Sequence, residues 1–315
     1  MGFNSSRDGA SIVAVLSNLH KIVDSTEEYN YMRKIEGIVV LYNPDDIVLD
    51  NIASYINLVN KLYVFDNSDI KNIDLVKKIK NINGCFYIDG NGNKGIAYAL
   101  NIGAQMAIDN GAKWLLTMDQ DSRFIDNGLE KLIDYIKTND VSSIGIASPV
   151  HLTVNKKCIV ENSISEELTV MTSGNLLNLY LYTITGPFNE DYFIDCVDLE
   201  YCLRLSQNMF RVITLNNSLL KHPLGDTKIV DILGIKKIQY TNHNPLRRYY
   251  ITRNRLYLIK RYLSGYPAFC LMVLKVTIFD WIKIILFEPE KIKKQKAILR
   301  GVYDFTIGKI GKYEN

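Results

Sequence analysis

Little in this sequence points to a disulfide framework or a zinc module. Its five cysteines, Cys85, Cys158, Cys196, Cys202 and Cys270, are odd in number and include no CxxC pair, the spacing that metal and redox pairs use. Free thiols of this kind suit a reducing cytoplasm. Nor is there a clean secretory signal, because Ser17, Asn18, His20 and Lys21 interrupt the apolar run Ile12–Leu16 at once. Residues 1–35 instead carry Ile12, Leu16, Leu19 and Val23 at helical spacing, which predicts a short amphipathic helix. Internal repeats and low-complexity linkers are missing too. With 47% hydrophobic and 23% charged residues over 315 positions, the chain can bury one large core and a smaller second unit.

Acid is scarce only towards the C-terminal end. Residues 235–315 hold 17 of the 37 Lys and Arg but 5 of the 34 Asp and Glu. A basic tail on an acidic body calls for an anionic partner, a membrane surface or a nucleic acid, or else forms a solvated helical surface. Tyr266–Phe287 is apolar enough to suggest a membrane span. However, Lys275, Asp280 and Lys283 break it and share about a 140° arc at 100° per residue. That predicts a helix lying in the membrane interface, with Lys291, Lys293, Lys294 and Lys296 against anionic headgroups. The competing expectation is a helix packed on its own sheet.

The body alternates short apolar runs with helical periodicity, the pattern of a largely parallel α/β sheet. Strands are expected at 37–42, 62–65, 85–88, 114–118, 144–148 and 210–215. Helices are expected at about 48–60, 74–82, 96–110, 129–138 and 197–207. The region 151–185 reads as strand-rich.

At the centre stands Trp114-Leu115-Leu116-Thr117-Met118-Asp119-Gln120-Asp121-Ser122. Side chains two apart at a strand end point the same way, so Asp119 and Asp121 can face one point. In an open α/β sheet, that point lies at the carboxyl edge, where ligands bind. Two convergent carboxylates there repel unless a cation joins them, and Mg²⁺ or Mn²⁺ with a substrate diphosphate meets that need. A loop acid beside a solvated acid is the alternative. Asp66-Asn67-Ser68 ends another strand and offers a carboxylate to a base or sugar, or makes an ordinary turn. Gly90–Gly95 matches GxGxxG after a strand, which keeps an oxidoreductase reading open. The loop follows the third strand, though, and it is crowded by two asparagines and a lysine. Asp195, Asp198 and Glu200 open a helix, where acids are favoured by the dipole and one can serve as general base. His222 follows a late strand. Arg247, Arg248, Arg253 and Arg255 form a basic-aromatic cluster whose forks match phosphate.

The order of these signals resembles the family 2 inverting glycosyltransferases of GT-A fold, and within them the bacterial rhamnosyltransferase branch. The likeness spans about residues 36–262. It rests on Val39–Pro44, Asp66-Asn67-Ser68, Asn91–Ala97 with Asn101, Thr117–Ser122, Ser173-Gly174-Asn175, the Phe188–Arg204 block, His222–Gly225 and Arg248–Asn254. Family members commonly carry Glu-Asp-x-Asp before the helix ending in Arg-Leu. Here the pattern becomes Val197-Asp198-Leu199-Glu200, so Asp198 takes the base position and Asp195 is an extra acid.

The resemblance implies a mixed, mainly parallel α/β sheet flanked by helices, with a helical C-terminal extension. With the composition and periodicity above, the chain divides into residues 1–35, a catalytic domain at 36–235, and a basic helical region at 236–315. The resemblance also implies Asp66, Asn93, Gly95, Asp119 and Arg253 on the donor, and Asp119, Asp121 and His222 on Mg²⁺ or Mn²⁺. Asp198 is the implied base, with Asp195, Glu200 and Gly174 on the acceptor side or in support. The implied donor is dTDP-β-L-rhamnose, with a UDP sugar as the alternative. The implied acceptor is a lipid-linked O-antigen or other surface saccharide at the inner face of the plasma membrane, with no nucleic acid partner. A non-catalytic nucleotide-sugar- or nucleic-acid-binding protein is the remaining alternative.

Overall fold

A computed structural model describes residues 34–152, 162–223, 227–232 and 236–314. The helix expected at 12–23 lies outside them. The first half is built from β1 (Ile35–Leu41), α1 (Ile47–Ala53), β2 (Leu62–Asp66), α2 (Ile73–Lys80) and β3 (Cys85–Asp89). It continues with α3 (Ile96–Asp109), β4 (Trp114–Asp119), β5 (Arg123–Ile125) and α4 (Gly128–Thr138). β6 (Ile144–Leu152), β7 (Ile164–Glu167), β8 (Asn175–Asn178) and α5 (Leu179–Thr185) follow. After them come α6 (Val197–Gln207), β9 (Arg211–Lys221), the hairpin β10 (Thr227–Ile232) and β11 (Lys236–Thr241), α7 (Pro245–Tyr262), α8 (Pro267–Phe287) and α9 (Lys291–Thr306).

One mixed sheet organises these elements in the order β3-β2-β1-β4-β8-β6-β9-β5, with β7 also on β9. The run β3-β2-β1-β4 is parallel throughout, whereas β8 enters antiparallel to both β4 and β6. Parallel strands are covered on both faces, and that is why β1, β2 and β4 read as unbroken apolar runs. Alternate residues feed two cores. Ile38, Tyr63 and Phe65 join α3, α6 and α7 on one face, and Val39, Leu41 and Val64 join α1, α2 and α4 on the other. Leu258 and Tyr262 of α7, with Cys270 and Val273 of α8, belong to the first core.

Two departures from the sequence reading have local causes. Leu179–Thr185 is helix within a stretch expected to be strand, because the Asn178 side chain caps it by accepting the Tyr180 and Leu181 N–H groups at 3.1 and 3.2 Å. In α8, Cys270, Val273 and Ile284 are buried, and the neighbouring Asp280 on that seam pairs with Arg255 of α7 at 3.0 Å. Of the polar arc, Asp280 turns towards the protein, Lys283 is about one-third exposed and Lys275 faces outwards. Leu271, Met272, Ile278, Phe279, Trp281, Ile282, Ile285 and Leu286 face outwards, each at least 43% exposed.

Candidate active site

The strand register aligns several acids. Leu41 stands opposite Asp66, Asp66 opposite Asp89, and Val40 opposite Asp119, so the parallel strands finish level at one carboxyl edge. Beyond β4 the chain turns through Gln120, whose side-chain amide accepts from Tyr42 N–H (2.7 Å) and donates to Tyr42 O (3.2 Å). That exchange pins the acid-bearing turn to the end of β1. Asp119 N–H donates to Ser173 Oγ at 3.1 Å. Gly174 N–H donates to Thr117 O at 2.7 Å with φ +81°. A Cβ at Gly174 would lie 2.8 Å from Pro149 Cγ, so only glycine lets this loop close on the acidic turn.

β9 carries His222 to the same place. Ligand atoms of Asp119, Asp121 and His222 all lie within 4.8 Å of one another. His222 Nδ1 is 3.6 Å from Asp121 Oδ1 and 2.6 Å from Ser122 Oγ. Burial first, then the Asp121 charge, pushes the Asp119 carboxyl up to about 7. Burial also lowers the His222 pKa, with Asp121 acting the other way. A half-buried carboxylate that resists ionising beside a second one, with a neutral imidazole, is a donor set suited to a divalent cation.

Asp66 is 1% exposed and its carboxylate is engaged internally. It accepts from Ser68 N–H (2.9 Å) and Tyr87 Oη (2.8 Å), with Lys71 Nζ at 3.6 Å. Asn67 donates to Gly95 O and accepts from Lys94 N–H, tying this turn to the glycine loop. Within that loop Asn93 Oδ1 accepts Gly95 N–H at 3.0 Å. The loop's end glycines are explained by packing. A Cβ at Gly90 would meet the Phe65 ring at 2.7 Å, and one at Gly95 would meet Phe193 O at 2.6 Å.

Asp198 occupies the first turn of α6, where Leu199 N–H donates to its Oδ1 at 2.9 Å. Burial is the main cause that raises its carboxyl to about 6, with Asp195 and Asp119 adding to it. The approach to this helix is strained: Phe193, Asp195 and Cys196 all have φ of 60–65°. The Asn254 amide restrains it from α7, lying 2.6–3.1 Å from the carbonyls of Tyr192, Ile194 and Asp195. Glu200 faces inward, fully buried, and meets Arg204 Nε at 2.9 Å and Tyr262 Oη at 2.9 Å.

Arg253 is fully buried. Its guanidinium donates to Gly311 O (2.8 Å), Asp191 O (3.3 Å), Tyr249 Oη and Asn254 Oδ1. Arg247 takes the exposed position instead, donating to Asp195 Oδ1 at 3.1 Å. Burial opposes its charge, but Asp195, Asp119 and Asp121 outweigh that and raise its pKa. The structure thus groups Asp119, Asp121, His222, Arg247, Asp195 and Asp198, and leaves Glu200 and Arg253 in the interior. In the sequence Arg247 was one member of a cluster, and no local pattern set it apart from Arg253.

A family model described as Glycosyl transferase family 2 matches residues 38–181. The dTDP-rhamnosyl transferase RfbF of Shigella flexneri is 30% identical over 311 residues, covering 89% of this chain and 98% of that protein. The crystal structure of GalNAc-T7 with UDP, GalNAc and Mn²⁺ aligns with a TM-score of 0.54 at 12% identity. It covers 88% of this chain, which spans only 58% of that one, and the likeness is one of fold.

Proposed function

Because the chain belongs to glycosyl transferase family 2 and is a glycosyltransferase, we propose that it moves L-rhamnose from dTDP-β-L-rhamnose to a hydroxyl of a lipid-linked saccharide, with inversion. The donor reading is supported by the similarity to a dTDP-rhamnosyl transferase along nearly the whole of that protein. The observation that carries the chemistry is the convergence of three side chains able to hold a cation, an arginine, and a carboxyl that burial raises to about 6.

Asp198 is the proposed base. At neutral pH it is mostly ionised, yet its raised pKa lets it accept the proton as the acceptor oxygen bonds to the anomeric carbon. Breaking the bond to the β-phosphate leaves charge on the diphosphate and oxocarbenium character on the sugar. Arg247, oriented by Asp195, is placed to offset that charge, a role the sequence had suggested for Arg253. A Mg²⁺ or Mn²⁺ ion held by Asp119, Asp121 and His222 would supply further positive charge against the departing diphosphate. Asp66 and Asn93 shape the nucleotide side by ordering the turn and glycine loop that close on each other. Gly95 allows that loop to sit against Phe193, and Gly174 lets its own loop close beside Asp119. Glu200 serves as a support, fixing α6 to α7.

Among the described residues, no helix is long and apolar enough to cross a membrane. The outward apolar face of α8 and the exposed Lys291, Lys293 and Lys296 of α9 support peripheral docking on an anionic membrane, where a lipid-linked acceptor resides, whereas Lys294, expected among them, is buried against Glu288. The expected boundary at 235 moves, because 236–241 is strand β11 and α7 packs in the first core with Arg247 at the site: the catalytic unit would be residues 36–262, with α8 and α9 as the membrane-facing helices.

A thermal-shift panel tests the donor. With Mn²⁺ present, dTDP-L-rhamnose should stabilise the protein well above UDP-glucose. An equal response to both would overturn the dTDP assignment.

A further inference from the structure

A second polar cavity, of about 350 Å³, lies beneath α8 on the other side of the first turn of α7. Tyr240, Thr241, Arg248, Asp280, Lys283 and Glu288 line it. Successive helical residues point about 100° apart, so Arg247 reaches Asp195 at the active site while Arg248 turns to this cavity. Arg248 is 4% exposed and hydrogen bonds through Nη2 to Glu288 and to Thr241 O. Its buried Nε has no hydrogen-bond partner among the described residues. Leaving a guanidinium donor buried and unmatched is costly.

The surroundings carry an excess of positive charge. Lys294 Nζ meets Glu288 at 2.8 Å, and Arg255 meets Asp280 at 3.0 Å, with Lys283 3.9 Å from Asp280. Both carboxylates are thereby matched, and among the described residues four cations face two acids. His243 reports the same field: burial, then Arg247, Arg248, Lys294 and Arg255, drive its pKa down to about 3.

We propose that this cavity binds the phosphate or diphosphate of the lipid that carries the acceptor saccharide. The proposal rests on the lipid-linked acceptor put forward above. The cavity lies between the outward apolar face of α8 and the arginine beside the active site. A lipid phosphate seated there would tether the attached saccharide across the first turn of α7 from Arg247 while its chain stays in the bilayer. Guanidinium forks suit phosphate oxygens, and Arg248 and Lys283 are the cations that line the cavity. The net positive charge offsets an anion carrying about two negative charges.

The test is vesicle co-sedimentation of the full chain with saturating dTDP occupying the donor site. Phosphatidylcholine vesicles doped with a polyprenyl diphosphate are compared with vesicles doped with phosphatidylglycerol to equal charge. The wild type should bind the diphosphate vesicles about tenfold more tightly, and Lys283→Ala should remove that preference. Lys283 is about one-third exposed, so this variant should fold, and Arg248→Lys serves as a second probe of the buried donor. Equal binding to both vesicles, or an unchanged preference in Lys283→Ala, refutes the site. Inorganic diphosphate binding equally well without vesicles would assign the site to a free anion and overturn the lipid reading. Calorimetric dTDP binding is the separate control. Its loss counts against the glycosyl-donor reading, and its retention confines any failure to the cavity.

Discussion

The replacement Asp198→Asn probes the chemistry most directly, because one side chain sets three observables. Burial raises its carboxyl from the ordinary 3.8 to about 6. A base at about 6 is roughly nine-tenths ionised at pH 7 and roughly one-tenth at pH 5. The turnover number should therefore fall about tenfold between those values, whereas a carboxyl at its ordinary value would lose less than about a tenth. Saturating cation is needed because Asp119 titrates at about 7 by itself. Asn at position 198 keeps the shape and removes the base, so turnover should drop by about 10²–10⁴-fold with donor affinity nearly intact. Stability should move the other way. The unfolded carboxyl releases its proton near 3.8 and the folded one near 6, so the folded state binds more protons between them. Stability thus falls as pH rises through that window and stays lower above it. Removing the charge should then raise stability at pH 7.5 by about 1–3 kcal/mol, less whatever solvent access already screens. A pH-independent turnover number from 5 to 7, or normal turnover by Asp198→Asn, would falsify the assignment of the base.

The two arginines should behave differently. Arg247→Ala should cost about 10²-fold in kcat with little change in Tm, because it loses charge compensation at an exposed site. Arg253→Ala should instead unfold the protein several degrees lower, since it removes a fully buried hub of four hydrogen-bonded groups. Equal Tm values for both variants would show that the division between site and interior is wrong. Asp121→Ala should abolish any difference in dTDP affinity with and without Mg²⁺, measured by calorimetry, and a retained difference would remove Asp121 from the cation group. Trp281→Glu on the outward face of α8 should weaken sedimentation with anionic liposomes about tenfold while leaving dTDP binding unchanged. Undiminished sedimentation would show that α8 is not the docking face.

Much of the fold was legible because its determinants are local. Buried parallel strands need unbroken apolar runs, helices need a 3.6-residue period, and each acid at the carboxyl edge ends such a run. Asp119, Asp121 and Asp198 could be named from spacing and resemblance, since their places follow from strand ends and a helix start. α5 was hidden because a four-residue strand and a capped helix share one apolar stretch, and the Asn178 cap alone divides them. Three matters were left to the tertiary structure. The choice between Arg247 and Arg253 depends on which side of α7 meets the loop at Asp195, and both arginines belong to one dense basic cluster. The direction in which α8 turns its charges depends on Arg255, which neutralises Asp280 from another helix. The approach of His222 to the acidic pair depends on β9 running to Lys221 beside β6, a pairing between segments about seventy residues apart. Periodicity fixes which face of an element is apolar, but long-range packing decides what that face meets.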